Sequence, residues 1–123
     1  MSFLASRATS FANAFRGLWG VLATQRNARI HGVATLLVCG AGVGLGVSRV
    51  EWCWLVAAIA AVWAAEAFNS ALEALADAAV PDAHPLIRRA KDAAAGAVLA
   101  VAIGAASIGV LVLGPHLLAW LGG

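Results

Sequence analysis

Five polar side chains interrupt a stretch of sequence that otherwise avoids them: Glu66, Asn69, Ser70, Glu73 and Asp77. At about 100° per residue of α-helix, Glu66, Glu73 and Asp77 fall within about 40° of one another, Asn69 lies roughly 60° from Glu66 on the same side, and Ser70 joins them. One side of a helix then carries three carboxylates, an amide and a hydroxyl over about 16 Å of rise. Two kinds of chemistry are open to such a stripe. A carboxylate kept from water is a stronger proton acceptor, which makes Glu66 the candidate base. Carboxylates one to two turns apart can also share magnesium, which takes oxygen ligands and keeps several waters. Asp77, and with it Glu73, is equally accounted for by solvation at the end of a helix; Glu66, about three turns deeper, is not.

Immediately downstream come Pro81-Asp82-Ala83-His84-Pro85 and then Arg88-Arg89-Ala90-Lys91-Asp92. Cations beside carboxylates can hold a phosphorylated ligand together with its metal. The same run is also a cationic flank to a membrane span, with Asp92 opening the next helix, where an acidic residue favours the helix dipole.

The elements that must position these groups follow from composition. The chain has 123 residues, 63% of them hydrophobic, with 8 Lys plus Arg and 6 Asp plus Glu. The charged share of 11% is well under the roughly 25% of soluble domains, and the mean hydropathy is +0.90. This is the composition of a lipid-facing protein with room for one domain, residues 1–123. A net charge of +2 and a pI near 8.9, with no basic stripe interleaved with aromatics, give no reason to expect nucleic acid.

Three charge-poor runs are long enough to cross a bilayer, which takes about 20 helical residues. They lie at about 30–48, 52–74 and 93–113. Lys and Arg mark the cytoplasmic side. Arg7, Arg16, Arg26 and Arg29 precede the first run, and Arg88, Arg89 and Lys91 separate the second from the third, whereas only Arg49 lies between the first two. The N-terminus and the second loop are therefore expected in the cytoplasm and the C-terminus outside. Before the spans, Phe11, Phe15, Leu18 and Leu22 recur at helical spacing and predict an amphipathic helix over about 7–26, lying in the interface or packed on the ends of the spans. Arg16 interrupts any apolar core a signal peptide would need there.

Gly40, Gly42, Gly44 and Gly46, and Gly96, Ala100 and Gly104, read as small-residue faces that let helices approach. The glycine run lacks the G-x-x-x-x-G-K-[ST] form of a phosphate loop. Cys39 and Cys53 read as small buried hydrophobes, and His31 and His116, near span ends, as amphipathic rings with no assigned chemistry.

Glu66-Ala-Phe-Asn69-Ser-Ala-Leu-Glu73-Ala-Leu-Ala-Asp77, followed by His84 and Ala90-Lys91-Asp92, strongly resembles the signature of the small prokaryotic integral-membrane lipid kinases, the diacylglycerol kinase and undecaprenol kinase family. Phe15-Arg16-Gly17-Leu18 and Arg26-Asn27-Ala28-Arg29-Ile30-His31 resemble its surface-helix and first-span motifs, so the resemblance covers nearly the whole chain. It implies an all-α membrane protein with three transmembrane helices preceded by an amphipathic surface helix. The implied activity is transfer of the ATP γ-phosphate to a lipid alcohol, diacylglycerol or undecaprenol, in a homotrimer with active sites between subunits, in the bacterial cytoplasmic membrane.

By that resemblance Glu66 is the general base on the lipid hydroxyl, and Asn69 orients the reacting groups. Glu73 binds the magnesium that bridges the ATP phosphates. Asp82, His84, Lys91 and Asp92 contact the nucleotide. Asn13, Arg16 and Arg29 border the nucleotide and lipid head-group region. Where members of the family often have a glutamate sharing the metal, this chain has Gln25, a neutral oxygen donor that can ligate through its carbonyl and face the nucleotide. Intramembrane carboxylates are also the mark of ion paths, so a small proton- or cation-coupled transporter is the alternative expectation.

Overall fold

The computed structural model describes residues 2–123, and those residues form four helices and no strand. They are α1 (Phe3–Thr24), α2 (Arg26–Leu45), α3 (Arg49–Ala79) and α4 (Pro85–Gly122). The last three are long and apolar enough to cross a membrane, with mean hydropathies of 1.5, 1.6 and 2.5. The chain is an all-α, multi-pass membrane protein. At 31 and 38 residues, α3 and α4 are about 46 and 57 Å long at ~1.5 Å per residue, so both outrun a hydrocarbon core of about 30 Å.

Each helix boundary has a local cause. Ser2 caps α1, accepting from the Ala5 N–H at 3.3 Å. The first break falls at Gln25, whose extended backbone (φ −102°, ψ 123°) ends α1 and begins α2. Arg29 stabilises that elbow: its Nε donates to the Leu22 carbonyl at 3.3 Å and its Nη2 to the Ala23 carbonyl, occupying acceptors that a helix C-terminus leaves open. α2 stops at Leu45 because Gly46 takes the left-handed conformation (φ 68°), a position glycine fills without steric cost. The Val47 N–H then returns to the Gly42 carbonyl at 3.1 Å, the closing bond of a Schellman turn.

α3 opens with a reciprocal cap. The Glu51 N–H donates to Ser48 Oγ at 3.2 Å, and the Ser48 N–H to Glu51 Oε2 at 2.7 Å, which satisfies two donors at once. α4 begins at Pro85, not near residue 93. His84 Nδ1 accepts the Leu86 N–H at 3.1 Å, and proline at the first helical position is pre-set in φ and has no N–H to leave unpaired. Arg88, Arg89, Lys91 and Asp92 consequently lie on the helix, and Asp92 does not open it as the sequence suggested.

Inside one chain the packed core is small. Val47, Leu55 and Val112 are buried, with Val38, Trp52, Ile108 and Leu113 packed against them. Many large apolar side chains are exposed, among them Phe11, Phe15, Leu36, Leu37, Leu111 and Leu118, as expected where the surrounding solvent is hydrocarbon. Cys39 is half-buried and Cys53 exposed, both free; a lipid-facing exterior removes the drive to bury Cys53 that the sequence reading assumed.

Candidate active site

The stripe on α3 is graded. Glu66 is 1% exposed and Ser70 8%, Asn69 and Glu73 are half-buried, and Asp77 is exposed. Polarity therefore enters the bundle from the α3–α4 turn and ends at Glu66. Asn69 Nδ2 donates to Glu73 Oε1 at 3.5 Å, the outer limit of a hydrogen bond. Glu66 Oε2, Asn69 Oδ1 and Ser70 Oγ are buried with no hydrogen-bond partner. Nearly all buried polar atoms in folded proteins are paired, and leaving one unpaired is costly. Three on one side of a helix, with Asn69 and Ser70 three and four residues from Glu66, mark a surface shaped for polar groups from outside the chain.

Lys91 is the α4 residue that the fold brings to this stripe: its Nζ pairs with Asp77 Oδ1. Other residues singled out from sequence lie elsewhere or are engaged. Arg16 Nη1 donates to Asn13 Oδ1 at 3.2 Å on the exposed face of α1. Arg29 is spent on the elbow carbonyls, and His84 on capping α4. Asp82 and Asp92 are exposed and Gln25 is half-buried at the elbow. No cluster of three or more His, Cys, Asp or Glu able to hold a metal exists among the described residues.

The donors present do suit magnesium delivered with a nucleotide. Such an ion is commonly held by one or two carboxylates, with phosphate oxygens and waters completing its shell. Glu73 is the carboxylate that would hold such an ion, and the unpartnered Oδ1 of Asn69 is a neutral oxygen on the neighbouring side chain.

One residue missed from sequence joins the site. His31 Nε2 lies 3.6 Å from Glu66 Oε2. The signal that could have found it is that a carboxylate inside a span needs a partner, and His31 is the one side chain within the first span's predicted range that can carry a positive charge.

An apolar cavity of about 490 Å³ lies between α2, α3 and α4. Its lining runs from His31 and Thr35 through Val38, Leu55 and Val62 to Leu113 and Leu117. Thr35 and His31 provide its polar end, and Val62 is one turn from Glu66. The volume is in the range of small-molecule sites.

The family model for prokaryotic diacylglycerol kinase matches residues 12–113. An undecaprenol kinase from Bacillus subtilis (strain 168) is 38% identical over 110 residues, covering 88% of each chain. A diacylglycerol kinase from Synechocystis is 39% identical over 110 residues, covering 89% of this chain and 63% of that one. The matched region holds α2, α3, α4 as far as residue 113, the graded stripe and Lys91, and on that basis the chain belongs to the prokaryotic diacylglycerol kinase family.

Proposed function

We propose that the protein is a lipid kinase that transfers the γ-phosphate of ATP to the hydroxyl of a membrane lipid alcohol. The observation that carries this reading is Glu66, a buried carboxylate with an unpartnered oxygen, one turn from the polar end of an apolar cavity. A lipid tail suits that cavity, and its hydroxyl then meets Glu66 where hydrocarbon gives way to the polar stripe.

In the reaction Glu66 accepts the hydroxyl proton as the lipid oxygen attacks the γ-phosphorus and the bond to the ADP oxygen breaks. Asn69 orients Glu73 through its amide, and Glu73 with Asn69 Oδ1 would hold magnesium, which supplies neutralisation of charge on the phosphate oxygens. Lys91 offers its ammonium to the same oxygens from α4. Phosphoryl transfer depends chiefly on this kind of positioning and charge compensation. Asp82, His84 and Asp92, on the turn and the first turns of α4, border the nucleotide in this reading. Gln25 does so from the elbow and Asn13 from α1, and Arg16 and Arg29 flank the lipid head group.

The cation distribution supports a cytoplasmic N-terminus and α3–α4 turn, with the C-terminus outside, in the bacterial cytoplasmic membrane. It also supports a site that draws ATP from the cytoplasm. A homotrimer with sites shared between subunits is supported by the three unpartnered polar atoms and by open space beside Gly40, Gly44, Gly96 and Gly104 in the single chain. The transporter alternative has no support from the family, and the stripe opens toward one end of α3 only.

The two relatives are named for different acceptors, so the test offers both. Labelled ATP is supplied in mixed micelles with diacylglycerol or undecaprenol, with Glu66→Gln as control. Labelled lipid that disappears in the variant is the expected result and identifies the acceptor. No labelled lipid from either alcohol, with folded protein, overturns the reading.

A further inference from the structure

Two cross-links tie α2 to α3. The indole N–H of Trp63 donates to Thr35 Oγ1 at 3.1 Å, and one turn further along each helix His31 Nε2 stands 3.6 Å from Glu66 Oε2. The helices run antiparallel, so Thr35 and His31, four residues apart, share the face of α2 that meets Trp63 and Glu66, three residues apart on α3. The first link sets the register of the second. The Thr35 hydroxyl donates to the His31 carbonyl at 2.7 Å, which leaves its oxygen free to accept from the indole. Gly32 sits between these residues, and a Cβ there would lie 3.4 Å from Leu22 Cδ1 and 3.9 Å from Trp63 Cζ2, so the elements meet closely at this level.

At 3.6 Å the His31–Glu66 contact is an ion-pair distance and not a hydrogen bond. A carboxylate withdrawn from water needs a compensating charge, and His31 is the one basic side chain within 4.0 Å of Glu66 among the described residues. Three charged groups of the neighbouring elements are engaged elsewhere. Arg16 on α1 bonds Asn13, Arg29 on α2 bonds the elbow carbonyls, and Lys91 on α4 pairs with Asp77. On α3 itself Glu73, two turns away, receives Asn69. The α4 residues that line a cavity together with His31 are Ala95, Val98, Leu99 and Ala102, none of them titratable.

The two partners differ in access to water. The side chain of His31 is 18% exposed and that of Glu66 2%, and His31 also borders a second cavity of about 210 Å³ that includes Asn27 on the first turn of α2. The imidazole therefore has access to water that Glu66 lacks.

We infer that His31 is a positioning residue for Glu66: as the imidazolium it supplies the counter-charge that keeps the buried carboxylate ionised and aimed, and thereby sets the pH range in which Glu66 can accept the lipid proton. This rests on the lipid-kinase reading above. His31 makes and breaks no bond during the transfer. The proton moves from the lipid hydroxyl to Glu66, and the imidazolium keeps its own.

The experiment compares His31→Gln with the wild type in two ways. In turnover, the acid limb of the kcat–pH profile moves up by about one to three pH units, the range expected when an opposite charge within ~4–6 Å is lost. His31→Lys, which restores a positive charge at that position, returns the limb toward the wild-type position. A fall in kcat by the same factor at every pH, or an unmoved limb, overturns the inference.

The second measurement needs no turnover: an infrared titration of the carboxylic C=O band, assigned with Glu66→Gln, whose midpoint moves up in His31→Gln. If the wild-type chain phosphorylates no lipid, the kinase reading fails while this titration still decides the pair; an unmoved midpoint overturns it. If His31→Gln does not fold, Trp63→Phe keeps both partners and removes the indole N–H that sets their register. It moves the same midpoint in the same direction by less, and no movement there overturns the inference.

Discussion

Lys91 Nζ pairs with Asp77 Oδ1 across the turn between α3 and α4, so the cation nearest the carboxylate stripe is held at its exposed end. The side chains are 34% and 69% exposed, and an ion pair this wet is worth at most about 1 kcal/mol. Lys91 is therefore aimed cheaply and is free to exchange Asp77 for phosphate. Lys91→Ala is expected to lower kcat/KM for ATP by a factor on the order of 100 or more, the scale of losing a charge stabiliser at a reacting phosphate. Asp77→Asn, which leaves the ammonium and loses only its guide, is expected to cost about fivefold, the equivalent of ~1 kcal/mol. Equal losses in the two variants would show that the pair acts as a structural tie and not as a source of charge for ATP.

Gln25 offers a test of the metal site that leaves the elbow intact. Its backbone, not its side chain, ends α1 and begins α2, and its side chain makes no cap hydrogen bond. Gln25→Glu adds a negative oxygen donor at a position where the family resemblance places a shared ligand, and hard divalent cations bind more tightly as carboxylates are added. The expected outcome is a severalfold drop in the magnesium concentration that gives half-maximal turnover. An unchanged magnesium dependence would show that position 25 is not a ligand.

The α3 stripe was legible because helical periodicity is written locally: residues three, four, seven and eleven apart share a face whatever surrounds them. The long apolar helices were legible for the same reason. Their pairing was not. Nothing in the α2 sequence states that His31, and not a neighbour one turn away, stops opposite Glu66; the Trp63–Thr35 bond fixes that register, and its partners are 28 residues apart. The start of α4 lies upstream of the charge-free run at 93–113, and Asp92 does not open the helix: His84-Pro85 is a cap followed by a first-turn proline, a signal that the cations after it obscure. Arg29 was read from the family as a head-group neighbour, and its engagement with carbonyls seven and six residues back depends on the elbow at Gln25, which no periodicity announces.

The glycine run at the end of α2 contains one position where the close approach occurs within a single chain. A Cβ at Gly42 would lie 2.6 Å from Trp52 Cη2 and 2.8 Å from Cζ2, whereas Gly40 and Gly44 have nothing within 4 Å. Gly42→Ala must displace an indole packed on the small core of Val47, Leu55 and Val112. Overpacking of this kind costs about 1–3 kcal/mol, read as a lower unfolding free energy in detergent. Trp52→Phe in the same chain removes the outer ring atoms and is expected to recover much of that loss, so the two changes are non-additive. Strict additivity would place the cost of Gly42→Ala in some contact other than Trp52.

At the opposite end of α3 from the stripe, Glu51 links two helices. Both of its carboxylate oxygens lie near His116 Nε2 on α4, at 3.1 and 2.9 Å, while Oε2 also accepts the Ser48 N–H. Glu51 precedes the span predicted to begin at Trp52. The Ser48 N–H first, and the hydrogen bond from His116 second, hold its carboxyl below the ordinary value of 4.5. A group whose folded value is depressed adds stability that is fully present above its unfolded value and is lost as the pH falls through the folded one. The stabilisation by Glu51 is therefore complete at neutral pH and disappears below about pH 4.5. Glu51→Gln is expected to lower the melting temperature at pH 7 and to melt together with the wild type once both are well below that range. A gap between the two melting curves that stays constant from pH 7 to pH 3 would assign the loss to the amide's poorer capping geometry and not to the charge.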